Sequence, residues 1–382
     1  MRAPNCRDTA AGEASTAGSG RMRKVSLSRP FLSPRTVSFA ARCTALVLLT
    51  TSTLFKVANA SAMAPDRTAV SLPGGQGIGL GVYRPEFWQP GSPAAQEMMH
   101  RLQSLLGGNL GIVHWFVGWG TNGDFDLAGL EAVKRQGAIP MITWEPGAGQ
   151  PNDPAWTLKD AVLSGKNDAY IDAWARGMAA YGAPVILRFA HEMNATSYPW
   201  GVGVNGNTAA DYVAAWRHVH GIFSRYSTSN VKWLSTPNTM GDTHASVYEP
   251  LYRSVFPGDD VVDLVGADVY NTGPSLDWGA PRWRTFSEAL SEPYKAITAI
   301  STRPFIISEI GSAQLGGSKP AWIADALQPS TLARFPALRA IVWFDMNKEA
   351  QWSLDAGPDA RQAWLSAGSQ PMFAAGKAWL HG

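Results

Sequence analysis

The sequence predicts a single (β/α)8 barrel, because short apolar segments alternate with longer amphipathic segments eight times along the chain. Each short segment is almost continuously apolar, as expected of parallel strands that are covered on both faces. The repeat occupies roughly 300 residues, which suits a fold that typically takes about 250. The predicted strands are Gly77–Tyr83, Leu110–Val117, Ala138–Trp144, Pro184–His191, Val231–Thr236, Val262–Tyr270, Pro304–Glu309 and Ala340–Asp345. These strands place one domain at residues 77–382.

The segments between the strands have helical spacing. In Ala209–Tyr226 the apolar residues recur every three or four positions, and Thr208 or Asn207 is the predicted N-cap. The tail Gln370–Gly382 is expected to form a last helix on the barrel. A doubly wound dinucleotide-binding fold is the alternative, but the glycines of Gly77–Gly81 lie inside a strand and not at a strand-to-helix turn.

The first 62 residues are predicted to be a secretory leader, followed by a linker at 63–76. The apolar segment Thr44–Phe55 follows five basic residues and precedes two A-x-A cleavage sites, Ala58–Ala60 and Ala60–Ala62. About twelve residues are too few to span a bilayer, which takes roughly 20. We therefore expect a secreted or periplasmic protein without stable membrane insertion after cleavage, and a monomer is the simplest expectation.

Charge and cysteine content exclude several functions. The 382 residues include 32 Lys/Arg and 30 Asp/Glu, but nine of the basic and only two of the acidic residues lie in the leader. The remaining chain is mildly acidic, whereas a nucleic-acid-binding protein needs a basic face. Both cysteines, Cys6 and Cys43, belong to the leader, so the barrel has no internal disulfide and no thiolate metal site.

Aromatic and carboxylate side chains are concentrated at the carboxyl ends of the predicted strands, where barrels of this class carry their chemistry. Indoles can pack against the apolar faces of a pyranose ring, while amides and carboxylates bind its hydroxyls. The sequence therefore predicts a carbohydrate site. Its candidate sugar platforms are Trp115, Trp144, Trp200 and Trp343, and its candidate hydroxyl partners are Glu145 and Asn194.

Two carboxylates stand out as a catalytic pair. Glu192 and Glu309 each follow an apolar strand, where a charge is unfavourable unless it has a purpose. The alternative for either one is a structural ion pair with a barrel-end arginine such as Arg188. Asp345 is expected to order the last loop, and Asp268 to be structural. A pair of carboxylates on separate strands can cleave a glycosidic bond, with one as acid and the other as nucleophile or as base toward water.

Four ordered segments resemble glycoside hydrolase family 26, whose members are retaining (β/α)8 hydrolases, mostly β-mannanases with some mixed-linkage β-glucanases and xylanases. The likeness spans about Gly77 to Asp355. The segments are Arg188–Asn194 with Tyr198–Gly201, Pro257–Asp260 through Tyr270–Asn271, Ile306–Gly311, and Trp343–Glu349.

The resemblance implies a role for each matching residue. Glu192 would be the general acid/base and Glu309 the nucleophile of a double displacement. His191 would contact the sugar at the cleaved subsite, Tyr270 would orient the nucleophile, Trp343 would stack under the same sugar and Trp200 would line the neighbouring subsite. The implied partner is a β-1,4-linked polysaccharide or oligosaccharide, and no metal or organic cofactor is required.

Two departures concern the substrate. Glu145 occupies a position where many mannanases of the family have histidine, and Ala195–Ser197 replaces a segment where glycine and an aromatic residue are common. Mannan and mixed-linkage β-1,3-1,4-glucan therefore both remain open. Two other classes also remain: a non-catalytic glycan-binding protein on the same barrel, and a metal-dependent hydrolase. The His218–His220 pair is a poor metal motif, because helix positions i and i+2 do not face each other.

Overall fold

A computed structural model describes residues 77–89, 91–239, 241, 243–276 and 282–381. The predicted leader, linker and both cysteines lie outside the described residues. Eight parallel strands form a closed barrel in sequence order, and β8 pairs with β1, so the predicted fold class is confirmed. The strands are β1 Gly79–Tyr83, β2 Leu110–Gly118, β3 Ile139–Glu145, β4 Val185–Phe189, β5 Val231–Ser235, β6 Leu264–Asn271, β7 Phe305–Ser312 and β8 Leu338–Phe344.

Helices follow the strands and form the outer layer. They are α1 Pro93–Leu106, α2 Leu127–Arg135, α3 Asp168–Tyr181, α4 Ala209–Phe223, α5 Ala245–Val255, α6 Phe286–Thr298, α7 Lys319–Ala326, α8 Pro329–Leu332, α9 Pro358–Gly368 and α10 Pro371–His381. Short 3-10 turns lie at Pro85–Trp88, Pro154–Trp156, Gly273–Ser275 and Leu354–Ala356, and a π turn lies at Lys159–Leu163. Within the described residues, no helix combines the length and apolar character that crossing a bilayer requires.

Local sequence signals account for where the helices begin. Thr208 caps α4 as predicted: its hydroxyl accepts from the Asp211 amide at 3.1 Å, and the Asp211 carboxylate accepts from the Thr208 amide at 2.8 Å. This reciprocal pair satisfies two of the amides that a helix start leaves without partners. Toward the carboxyl end of the chain, α10 packs against the start of β1, where the amide of Ile78 donates to the carbonyl of Met372 at 3.1 Å.

The barrel interior consists of layers, because alternate side chains of every strand point inward. The lower part holds an apolar cluster of Ile112, Ile139, Met141, Ile186, Leu234, Leu264, Ile306, Ala340 and Val342. Above it lies a buried polar layer of His114, Thr143, Arg188, Thr236, Asp268 and Ser308. The next inward positions, including Phe116, Glu145, Tyr270 and Phe344, lie at the carboxyl mouth of the barrel. The same alternation directs the intervening side chains toward the helices.

Candidate active site

Arg188 of β4 is the centre of the polar layer and has no exposed surface. Its guanidinium donates to Glu309 at 2.5 Å, to the hydroxyl of Thr236 at 2.6 Å and to Asp268. Burial alone disfavours the cation, but the neighbouring Asp268 and Glu309 carboxylates raise the pKa of Arg188. Glu309 therefore does form an ion pair with Arg188, the structural role that the sequence left open for either carboxylate.

A β-bulge in β7 brings Glu309 to the barrel mouth. The register against β6 and β8 shifts between Ile307 and Ile310, so the consecutive residues Ser308 and Glu309 both contact inward groups. The Ser308 hydroxyl donates to Asp268 at 2.6 Å. One Glu309 oxygen accepts from Arg188, and the other accepts from the Tyr270 hydroxyl at 2.7 Å. Two donors thus fix the orientation of this carboxylate, in agreement with the predicted contact of Tyr270.

Glu192 lies just beyond β4, on backbone that has left the strand. Its amide donates to the carbonyl of Thr236 at 2.9 Å, and its φ of 48° is in the left-handed region, like the 43° of Ala190. The Asn238 side chain donates to Glu192 Oε1 at 2.6 Å. Burial, and then the negative charge of Glu309, raise the pKa of Glu192. A carboxyl that holds its proton beside a second carboxylate is suited to general acid catalysis.

Glu145 and His191 form a second polar pair at the mouth. His191 Nδ1 lies 3.9 Å from Glu145 Oε1, and His191 Nε2 lies 3.2 Å from the Tyr198 hydroxyl. Burial, and then the charge of Arg188, hold the pKa of His191 well below its usual value, so the ring is neutral. Burial, and then the charge of Glu309, raise the pKa of Glu145 to about 7. The structure thus places both predicted substrate contacts beside the Glu192–Glu309 pair.

Three of the four predicted indole platforms do not face the site. Trp144 is fully buried and packs on Trp174 of α3, and Trp343 packs on Trp322 of α7. Trp115 borders a cavity of about 490 Å³ between the barrel wall and the helices. Strand alternation is the physical reason, because each of these residues is one position removed from an inward side chain. Their predicted role as sugar platforms is therefore corrected to packing in the helix layer.

Other aromatic rings occupy the mouth instead. Tyr83 and Phe344 stack with centroids 4.8 Å apart, and the edge of Phe116 meets Tyr83 at 5.0 Å. Trp200, the fourth predicted platform, does lie at the site: it stacks on Tyr198 at 4.6 Å, and its Nε1 donates to the His191 carbonyl at 2.7 Å. It is only 2% exposed, so in this state it supports His191 and Tyr198.

Asn194 and Asn238 form a hydrogen-bonded pair at the site, of which only Asn194 was predicted as a site residue. The Asn194 amide donates to the backbone carbonyl of Asn238 at 3.0 Å and accepts from its backbone amide at 2.8 Å. Asn194, predicted as a substrate contact, thus holds the residue that donates to Glu192. The sequence could have indicated that Asn238 contacts the site, because it follows the carboxyl end of β5 by three residues.

The minor sequence features have structural explanations. Asp345 orders the following loop as expected, since it accepts from the Ser353 hydroxyl at 2.9 Å and from the Leu354 amide at 2.6 Å. His218 pairs with Asp168 at 2.7 Å, and His220 packs on Trp233. Across the described ranges, no group of three or more His, Cys, Asp or Glu side chains could hold a metal ion.

Replacement of Tyr270 by phenylalanine is expected to lower kcat by about tenfold to a hundredfold with little change in KM. The lost hydrogen bond is to a charged group, and such bonds contribute roughly 1.5–3 kcal/mol. Steady-state kinetics on a β-1,4-linked polysaccharide, the substrate that the family resemblance implies, measures the effect. Tyr294→Phe in α6 is the matched control, because its hydroxyl accepts from the Ala337 amide and makes no hydrogen bond to Glu309 or Glu192 among the described residues. A Tyr270→Phe variant with wild-type kcat would contradict the assigned contact.

The fold and the site define a class of protein: a (β/α)8 barrel with two carboxyl groups at its mouth, a buried acid just after β4 and a carboxylate in β7 that two donors hold. Residues 156–290 match the model of glycosyl hydrolase family 26. Endoglucanase H of Acetivibrio thermocellus is 36% identical over 280 residues, which are 72% of this chain and 29% of that protein. The mannan endo-1,4-beta-mannosidase A and B of Caldalkalibacillus mannanilyticus is 30% identical over 135 residues, which are 34% of this chain and 22% of that protein.

Solved structures agree on the fold. A β-mannanase of family 26 from Bacteroides ovatus superposes with a TM-score of 0.57 at 17% identity, covering 78% of this chain and 90% of that one. A modular endo-β-1,4-mannanase from Cellulomonas fimi gives 0.59 at 16% identity, covering 78% and 71%. The chain belongs to glycosyl hydrolase family 26. It spans less than a third of the length of the two curated relatives named above.

Proposed function

We propose that this protein is a retaining endo-β-glycanase that hydrolyses a β-1,4-linked polysaccharide by double displacement. The observation that carries the proposal is the contrast between two neighbouring carboxyl groups at one barrel mouth. Glu309 is held by a cation and a hydroxyl, whereas Glu192 has a raised pKa and accepts from the neutral amide of Asn238. Environments that separate two carboxyl groups in this way assign the acid and the nucleophile.

The proposed mechanism follows from these contacts. Glu192 protonates the glycosidic oxygen as the bond to the anomeric carbon breaks, and Glu309 attacks that carbon to form a glycosyl-enzyme ester. Glu192, now ionised, takes a proton from water as the water attacks the same carbon, and the ester bond breaks to release the sugar and regenerate Glu309. Arg188 and Tyr270 hold the Glu309 oxygens throughout.

For the substrate, we propose mixed-linkage β-1,3-1,4-glucan or mannan. The relative that matches 72% of the chain is named an endoglucanase, and the others are named mannosidases. The Glu145–His191 pair is the contact expected to select between the two, because it lies next to the reacting carboxyl groups. The two sugars differ in the orientation of one hydroxyl, and a hydrogen-bonding site can discriminate strongly at such a group. We further propose that the enzyme is secreted and acts as a monomer.

The test is reducing-sugar release from mannan, glucomannan, mixed-linkage glucan and xylan by the purified protein, with the anomeric configuration of the first product followed by NMR. Release from one polymer with a β product supports the proposal and names the substrate. An α product would overturn retention. Tight oligosaccharide binding without release from any polymer would instead identify a glycan-binding protein.

Replacement of Asn238 by alanine is expected to move the alkaline limb of kcat/KM to higher pH. The amide of Asn238 donates to Glu192, which lowers the pKa of that carboxyl against the larger effect of burial. Its removal therefore raises the pKa of Glu192 further. The protonated acid persists to higher pH, and activity is lost later as pH rises. A pH profile on soluble oligosaccharide measures the shift; an unchanged or lowered alkaline limb would contradict it.

A further inference from the structure

Lys319 is a fully buried cation that the proposed mechanism does not use. It is the first residue of α7, and its side chain has no exposed surface. Its Nζ donates to the backbone carbonyls of Gln351, Trp352 and Ser353 at 2.8, 2.7 and 2.6 Å. Three bonds are the full donor capacity of an ammonium group. The side chain therefore fixes three consecutive carbonyls of the loop that follows β8.

The loop that Lys319 fixes carries Trp352. Its ring lies against Tyr270, which donates to Glu309, and against Gly311 of β7. The Trp352 and Tyr270 rings are tilted, with centroids 4.9 Å apart. A Cβ atom added at Gly311 would lie 3.1 Å from Trp352 Cε3, so the absence of a side chain there lets the indole approach β7 closely. Gly311 follows Glu309 by two residues, and Tyr270 donates to Glu309.

We propose that Lys319 is a positioning residue for the nucleophile. Its ammonium holds the backbone of residues 351–353, and this backbone seats Trp352 against Tyr270 and Gly311. Tyr270, kept in place by the indole, then orients the Glu309 carboxylate. The inference rests on the proposed hydrolytic function, and it adds a residue that lies outside the reacting groups and acts through two side chains.

The arrangement also makes the loop sensitive to alkaline pH. Burial lowers the pKa of Lys319 to about 8, against the opposing charge of Asp345. Arg84 and Asp355 also carry charge near that carboxylate: Arg84 donates to Asp345 at 2.6 Å and pairs with Asp355. The Trp343 ring lies 5.7 Å from Nζ. The ammonium is present below about pH 8 and is lost above it. A neutral amine donates two hydrogen bonds, so one of the three carbonyls then loses its partner.

The experiment uses an aryl β-glycoside of the preferred sugar with a good leaving group, because its cleavage needs no general acid. Lys319→Met is expected to lower kcat/KM by about tenfold to a hundredfold, the scale of a misplaced reacting group. The fall is expected on the aryl substrate as well as on polysaccharide, mainly in kcat. On the aryl substrate, which does not need Glu192 as an acid, the alkaline limb near pH 8 is expected to disappear in the variant. Lys295→Met, at an exposed position of α6, is the matched control.

Trp352→Phe is the second variant, and it tests the same chain of contacts if Lys319→Met does not fold. It is expected to lower kcat similarly, and the double variant to fall no further, because the two residues act in series. Wild-type kcat/KM with an unchanged alkaline limb in Lys319→Met would overturn the proposal, and so would strict additivity in the double variant.

A fluorescence titration separates this inference from the proposed function. The tryptophan emission of the wild-type protein is expected to change with a midpoint near pH 8, and this change is expected to be absent from both Lys319→Met and Trp352→Phe. If the wild-type protein cleaves no glycoside, the proposed function fails, and the titration still decides whether the ammonium holds the indole. The same transition in Lys319→Met as in wild type would overturn that contact.

Discussion

Replacement of Glu309 by alanine is expected to reduce kcat/KM on polysaccharide by roughly 10⁴-fold or more, the scale on which enzymes lose activity when a nucleophile is removed. The variant retains Glu192 but has no atom that can form the covalent intermediate. Because the side chain also accepts from Arg188 and Tyr270, its removal leaves a space beside the anomeric carbon. Azide is expected to occupy that space and attack directly, giving an α-glycosyl azide. Product analysis by NMR measures this outcome.

The matched control is Glu249→Ala in α5, whose carboxylate pairs with Arg253 at the surface. It is expected to keep wild-type kinetics. Hydrolysis that persists near the wild-type rate in Glu309→Ala would refute the assigned nucleophile. A β-glycosyl azide would instead show that the retained group still forms a covalent intermediate, and would contradict the roles given to the two carboxyl groups.

Arg188→Met is expected to lower the free energy of unfolding by about 3–5 kcal/mol, because it leaves buried carboxylates without a counter-charge. Asp268 is fully buried and Glu309 is 7% exposed, so water cannot replace the guanidinium efficiently. The variant is also expected to lose activity, since Glu309 loses one of its two donors. Equilibrium denaturation at neutral pH measures the change in stability.

A second substitution tests the cause of this loss. Arg188→Met/Asp268→Asn is expected to recover part of the stability, because it removes one of the uncompensated charges, whereas the surface variant Arg253→Met changes stability by less than about 1 kcal/mol. Equal destabilisation by the two arginine variants would contradict the central role of Arg188 in the polar layer.

The fold was predictable because its signal repeats eight times. Each strand is an apolar run long enough to recognise, and the helices between them carry their own start signals, as at Thr208. The position of the two carboxylates at the barrel mouth was predictable for a related reason: an acidic residue at the end of an apolar strand is unfavourable unless it has a partner or a function there. Neither inference depended on the direction of a particular side chain.

The aromatic lining of the site was less predictable, because it depends on that direction. Trp343 and Phe344 are adjacent, and alternation directs the phenylalanine inward and the indole toward α7 and α9. Applying the two-residue period from the apolar interior upward would have favoured Phe116 and Phe344 over Trp115 and Trp343. The bulge at Ser308 interrupts that period, and no residue type in the strand would have predicted its position.

The left-handed backbone at Ala190 and Glu192 has a consequence for how this site can change over generations. Neither residue is a glycine, so each conformation carries a strain of about 1–3 kcal/mol that the surrounding fold must sustain. Substitution by glycine would relieve the backbone strain and increase the stability of the barrel, and at position 192 it would also remove the acid. Lineages that no longer need the reaction should therefore lose Glu192 early and keep a well-folded barrel.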